Sequence, residues 1–166
     1  ASVALRINPD VEPKTHRYIT TGKLTNKFGI DLDTAYGIFK NRAEFTHLNF
    51  NGLHMHIGSQ IIDGAPYILA LKKMIGFIKK LKKEAIDIQY LNIGGGLGII
   101  YSKEKPQTAE EFAGKILPLL KSTGLKIILE PGRFIAGPSG ILVTRILYIK
   151  KTPLKNFIIV DAGMND

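Results

Sequence analysis

There is no cysteine among the 166 residues, which excludes disulfides and thiolate metal sites. No apolar run approaches the length that spans a bilayer, and the opening ASVALRINPD lacks the layout of a secretory signal, so a cytoplasmic protein with no membrane partner is expected. Histidine is scarce: His16, His47, His54 and His56 are all there are. Neither His16 nor His47 falls at a later strand end, so the ligand set of a metal hydrolase is missing and no metal is expected. What is present suits one globular domain with a real core, at 45% hydrophobic residues and a mean hydropathy of +0.06.

The net charge is +9, and much of the excess sits in LKKMIGFIKKLKKEA, as Lys72, Lys73, Lys79, Lys80, Lys82 and Lys83. Ile68, Leu71, Ile75, Ile78 and Leu81 recur there at helical spacing, which leaves the lysines on the opposite, solvated face. No nucleic-acid motif accompanies them, so no nucleic-acid partner is expected.

Along the chain, VALRINP, FNGLHMHIGS, IDIQYLNIGGG and LKIILEPGR read as strands. Helices are predicted between them: DLDTAYGIFKNRAEF, capped by Asp31 or Asp33; the lysine-rich segment; and TAEEFAGKILPLLKSTG, with Thr108 and Glu111 at capping-box spacing and a kink at Pro118. Two further strands, GILVTRILYIKK and NFIIVDAG, follow without a helix between them. The alternating part predicts an α/β fold with parallel strands, and the change near Gly137 to Gly140 marks a different, all-β element. The polar segment EPKTHRYITTGKLTNKFGI is a candidate functional loop.

Chemically loaded residues gather where successive strands end: His54, His56 and Ser59, then Gly94 to Gly96, then Glu130 and Arg133. In a (β/α) barrel that is where the active site forms. The glycines in NIGGGLGII fit neither a dinucleotide fingerprint, since Ile99 stands where the last glycine would be, nor a P-loop. They leave two readings open, a tight turn or backbone amides that close on one phosphate. His54 and His56 point to one side of their strand, and Leu53, Met55 and Ile57 to the other. Such histidines are either satisfied by interior hydrogen bonds, the reading preferred for His54, or present a flat ring to an aromatic cofactor. In EPGR, Glu130 and Arg133 flank one bend. They either pair structurally, or Glu130 holds a proton on a ring nitrogen while Arg133 grips a carboxylate or phosphate. A phosphorylated, flat, nitrogen-containing ring such as pyridoxal phosphate fits these pieces together.

The stretches LRINPDV, KTH, TGKLTNKFGI, GLHMHIGSQI, NIGGGLGI, EPGRFI and DAGMND resemble the diaminopimelate decarboxylases, pyridoxal-phosphate enzymes of the alanine-racemase-like barrel class. Ornithine and arginine decarboxylases share the barrel and are the alternative, as is a degenerate barrel that binds a phosphate ligand without catalysis. The resemblance implies that His56 stacks on the pyridine ring, and that Ser59, Gly94, Gly95 and Gly96 bind the phosphate. It implies that Glu130 bonds the ring nitrogen, and that Gly132 and Arg133 help hold the cofactor, with Arg133 also meeting substrate. It further implies meso-diaminopimelate as substrate, lysine and carbon dioxide as products, and a homodimer. A bulky side chain at Gly95 is then expected to block the phosphate while the barrel still folds.

The family's cofactor lysine lies in a stretch like VKAN, and no lysine here is followed by alanine. The family's C-terminal cysteine is absent as well. No catalytic residue is therefore assigned, and the chain is expected to be an internal fragment. Residues 1–137 would form about the second half of a (β/α)8 TIM barrel, four βα units, and residues 138–166 the beginning of a C-terminal β domain.

Overall fold

A computed structural model describes residues 1–11 and 27–163. Most of the polar segment singled out as a functional loop, with KTH and TGKLTN, lies outside the described residues, as do the last three residues of DAGMND.

Strands β1 (Ser2–Arg6), β2 (Asn49–His54), β3 (Tyr90–Asn92) and β4 (Lys126–Ile128) form one parallel sheet in sequential order. Each crossover carries a helix: α1 (Leu32–Lys40), α2 (Ala65–Lys83) and α3 (Ala109–Lys121). The expected α/β alternation is thus present, but the strands are shorter than the apolar runs suggest. His54 is the last residue of β2, while His56, Gly94 and Glu130 lie on the turns just beyond their strands.

Local chemistry sets the helix starts. Asp31, rather than Asp33, caps α1, accepting from the amides of Asp33 at 2.9 Å and Thr34 at 2.8 Å. These bonds and the Thr34 hydroxyl hold its carboxyl below the usual carboxylate range. Thr108 and Glu111 complete the capping box of α3, which continues through Pro118. Each such cap is worth about 1 kcal/mol.

The helices cover one sheet face. Leu53, Met55, Leu91 and Ile93 share one buried cluster with Leu71, Met74, Ile78 and Leu81 of α2. Each such side chain contributes about 1.5–3 kcal/mol on leaving water. The buried stripe of α2 is rotated from the sequence reading. Ile68 and Ile75 are only half-buried, and Ala70, Met74 and Phe77 take the centre, while the six lysines all stay exposed. Lys73 and Lys82 tether to the carbonyls of Asp10 and Thr123, and Lys80 lies over the Tyr36 ring.

After β4 the chain makes a short helix that the sequence reading did not anticipate, α4 (Gly132–Ala136). Strands β5 (Ile146–Lys151) and β6 (Asn156–Val160) then pair antiparallel in a separate two-stranded sheet.

Much apolar surface remains open. α3, β4 and α4 border a groove of about 510 Å³, lined by Phe112, Ile116, Leu120, Ile127, Leu129 and Phe134 among others. The β5–β6 hairpin exposes Ile146, Leu147, Tyr148 and Ile149. Uncovered edges of this kind favour association. The 166-residue chain by itself is therefore expected to elute above monomer mass in size exclusion with light scattering. A monodisperse monomer with a sharp melt would contradict this.

Candidate functional site

The register of the sheet builds the site. Arg6, His54, Asn92 and Ile128 stand side by side across the four strands, on the face away from the helices. Two residues further on, His56, Gly94 and Glu130 continue that face beyond the strand ends, where the Glu130 amide donates to the Gly94 carbonyl at 2.9 Å.

Asn92 is the connector, and the sequence reading missed it. Its Nδ2 donates to Glu130 Oε1 at 2.7 Å, while its Oδ1 accepts from the Gly94 amide at 2.8 Å. One side chain thus fixes both the carboxylate and the start of the glycine turn. The only sequence signal was a polar residue directly before IGGG.

His54 differs from the reading preferred for it. Its Nε2 is buried, 3.6 Å from Glu130 Oε1, and has no hydrogen-bond partner among the described residues. That contact would be an ion pair only with a charged imidazole. Burial lowers the His54 pKa from its usual 6.5, and the Glu130 carboxylate opposes that only in part, so near pH 7 the ring is neutral. Burial and then Arg6 lower His56 similarly. The Nδ1 of His56 accepts from the Gly95 amide at 3.3 Å, which leaves the proton of the neutral ring on Nε2.

The glycines answer to close backbone packing first. A Cβ on Gly94 would stand 2.5 Å from the Met55 carbonyl oxygen, one on Gly95 1.8 Å from that of Glu130, and one on Gly96 1.9 Å from that of Gly58. Gly94 and Gly96 also have φ of +72° and +98°. The carbonyls of all three point inward, bonded by the Glu130 amide, the Tyr67 hydroxyl and the Ile61 amide respectively. The Gly94 and Gly95 amides bond Asn92 and His56, whereas the Gly96 amide donates to no acceptor among the described residues.

Gln60 locks the neighbouring turn. Its side-chain amide donates to the Ile99 carbonyl at 2.6 Å and accepts from the Ile99 amide at 3.1 Å. Ser59 is half-buried beside it. On the far side of the bend, the Gly132 amide donates to the Glu130 carbonyl at 2.8 Å, and added bulk at Gly132 would meet nothing within 4 Å. Arg133 lies over the Tyr101 ring at 5.9 Å. Its guanidinium forms no ion pair with Glu130 among the described residues, so the structural pairing weighed from EPGR is not what holds Glu130. No group of three or more metal-ligating side chains occurs among the described residues.

A carboxylate, two neutral imidazoles and an amide-bearing turn thus meet at the ends of consecutive parallel strands. The pyridoxal-binding domain of the pyridoxal-dependent decarboxylases matches residues 1–137, and the chain belongs to that family. Among its relatives, the whole chain is 47% identical to the diaminopimelate decarboxylase of Aquifex aeolicus and 45% identical to that of Vibrio cholerae. The crystal structure of diaminopimelate decarboxylase from Helicobacter pylori complexed with L-lysine covers the whole chain at 42% identity and a TM-score of 0.88. The chain spans about 40% of the length of these curated relatives and 42% of that crystallised chain.

Two outcomes follow from this geometry. Gly95→Ala places a methyl group against the Glu130 carbonyl, so it should lower the melting temperature before any ligand is added. This replaces the expectation that bulk at Gly95 leaves the fold intact, and an unchanged melt would restore it. The second outcome concerns pH. The folded-state values of His54 and His56 lie below the usual 6.5, so the unfolded chain binds protons first as the pH falls. Their contribution is whole above about pH 6.5 and is lost as the pH falls toward their folded values. Melting of the full-length protein between about pH 5 and pH 7 should therefore steepen toward acid. His54→Asn should flatten that slope, and equal slopes would refute the assignment.

Proposed function

We propose that this chain is the half-barrel, cofactor-binding part of a diaminopimelate decarboxylase, which converts meso-diaminopimelate to L-lysine and carbon dioxide. The observation that carries it is the Glu130–Asn92–Gly94 linkage, which joins a carboxylate to an amide-bearing turn at consecutive strand ends. Sequential parallel order with helices on one face supports a barrel wall, completed to eight strands by chain beyond these residues. The separate β5–β6 sheet supports a boundary after residue 137, with residues 138–166 opening a β domain. A cytoplasmic homodimer is part of this reading.

The residues present fit pyridoxal phosphate. Glu130 has one oxygen held by Asn92, so its carboxylate stands oriented by an amide, and no Lys or Arg pairs with it among the described residues. It would keep the proton on the pyridine nitrogen. His56, kept neutral by burial, would lie flat on the ring without adding positive charge there. The Gly96 amide, which has no acceptor among the described residues, and the Ser59 hydroxyl would take the phosphate, with Gly94 and Gly95 shaping the turn around it. Gly132 and Arg133 would close the other side, and Arg133 would also grip a substrate carboxylate. When bound, the cofactor supplies the electron sink that lets the carboxylate leave as carbon dioxide.

Glu130→Gln in the full-length protein tests the reading, because it keeps size and a hydrogen bond but removes the charge. Turnover of meso-diaminopimelate should fall on the order of a hundredfold, about 2.7 kcal/mol of barrier, with cofactor still bound. Near-normal turnover with a lowered melting temperature would reject the ring-nitrogen role. Faster turnover of ornithine or arginine by the unaltered protein would reject the substrate.

A further inference from the structure

The hydroxyl of Tyr67 plays no part in the chemistry above, yet it meets the glycine turn directly. Tyr67 stands near the start of α2 and is 1% exposed, its ring edge-on to Phe112 at 4.9 Å. A phenylalanine would fill that space equally well. A buried hydroxyl costs free energy unless it is bonded, and among the described residues this one has a single bond, donated to the Gly95 carbonyl at 2.6 Å. Burial pushes its pKa far above the usual 10, so it stays a donor at any working pH.

We propose that Tyr67 is a positioning residue that aims the Gly96 amide at the cofactor's phosphate. The peptide unit between Gly95 and Gly96 is trans, like every described peptide, so its carbonyl and its N–H point in opposite directions. The carbonyl is drawn toward Tyr67, and the Gly96 N–H therefore points away from it. A peptide joining two glycines has the least steric resistance to flipping, because neither residue carries a Cβ. A flip would exchange donor for acceptor and present a carbonyl oxygen to an anion. The carbonyls of Gly94 and Gly96 are held by backbone amides of other segments. That of Gly95 is the one held by a side chain, and so the one that a substitution releases.

This rests on the cofactor assignment above, and the test separates the two. Pyridoxal phosphate and unphosphorylated pyridoxal are titrated into the full-length apo protein and into Tyr67→Phe, with binding read from the absorbance of the ring. The unaltered protein should prefer the phosphorylated ligand. In Tyr67→Phe that preference should shrink roughly tenfold, the effect of about 1.4 kcal/mol, while pyridoxal binds as before. Inorganic phosphate should likewise raise the melting temperature of the unaltered protein more than that of the variant. An equal loss for both ligands would mean that the hydroxyl only supports packing, and it would overturn the inference, as would an unchanged preference. An unaltered protein that binds neither ligand would overturn the cofactor assignment and this inference together. Should Tyr67→Phe fail to fold, replacing Gly96 by its α-hydroxy acid, glycolate, removes the amide donor and leaves Tyr67 in place. The same loss of preference is expected there, and an unchanged preference would overturn the inference.

Discussion

Backbone meeting backbone, with no side chain between, is the constraint on which this end of the molecule depends. At Gly94, Gly95 and Gly96 the turn after β3 lies against the carbonyls of Met55, Glu130 and Gly58. Contact that close lets the ends of β2, β3 and β4 share hydrogen bonds beyond the last ladder pair, as from Glu130 to Gly94 and from Ile61 to Gly96. Loaded side chains on neighbouring strands thereby come within a few ångströms of one another. Spread the turn by one methyl group, and His56, Asn92 and Glu130 would no longer face a common space.

Charge is arranged around that space with similar economy. Glu130 is half-exposed, and among the described residues it is oriented by an amide rather than by a Lys or Arg. The histidines beside it are kept neutral by burial, with Arg6 disfavouring their protonation further. A protonated imidazole 3.6 Å away would compete for the carboxylate. Because burial prevents that, the negative charge remains available to a partner arriving from solution.

The order of elements was legible because period-2 and period-3.6 patterns are local properties. Asp31 and Thr108 announced their helices for the same reason, since a cap is read from its own few residues. Strand ends are overextended in the sequence because Met55 and Ile57 continue the alternation of Leu53 into the turn, past the last ladder pair, where only the Met55 amide still bonds the next strand, at the Asn92 carbonyl. Helix α4 escaped notice because five residues after a proline carry too little periodicity. Asn92 and Tyr67 escaped for another reason. Their partners, Glu130 and Gly95, are far away in sequence, and no spacing rule connects them. For His54 the sequence suggests a satisfied ring, because interior histidines usually are, and only the alignment of strands shows that its neighbour is a carboxylate oxygen at 3.6 Å.

The pairing of Gln60 with Ile99 has a consequence for time as well as shape. A side-chain amide that takes both the N–H and the C=O of one residue imitates a passing strand, and Gln60 holds it from a left-handed backbone, φ 58°. The histidine turn and the glycine turn are thereby joined into one stiff rim. The entropy of ordering that rim is lost once, when the chain folds, and not again at each encounter with a ligand.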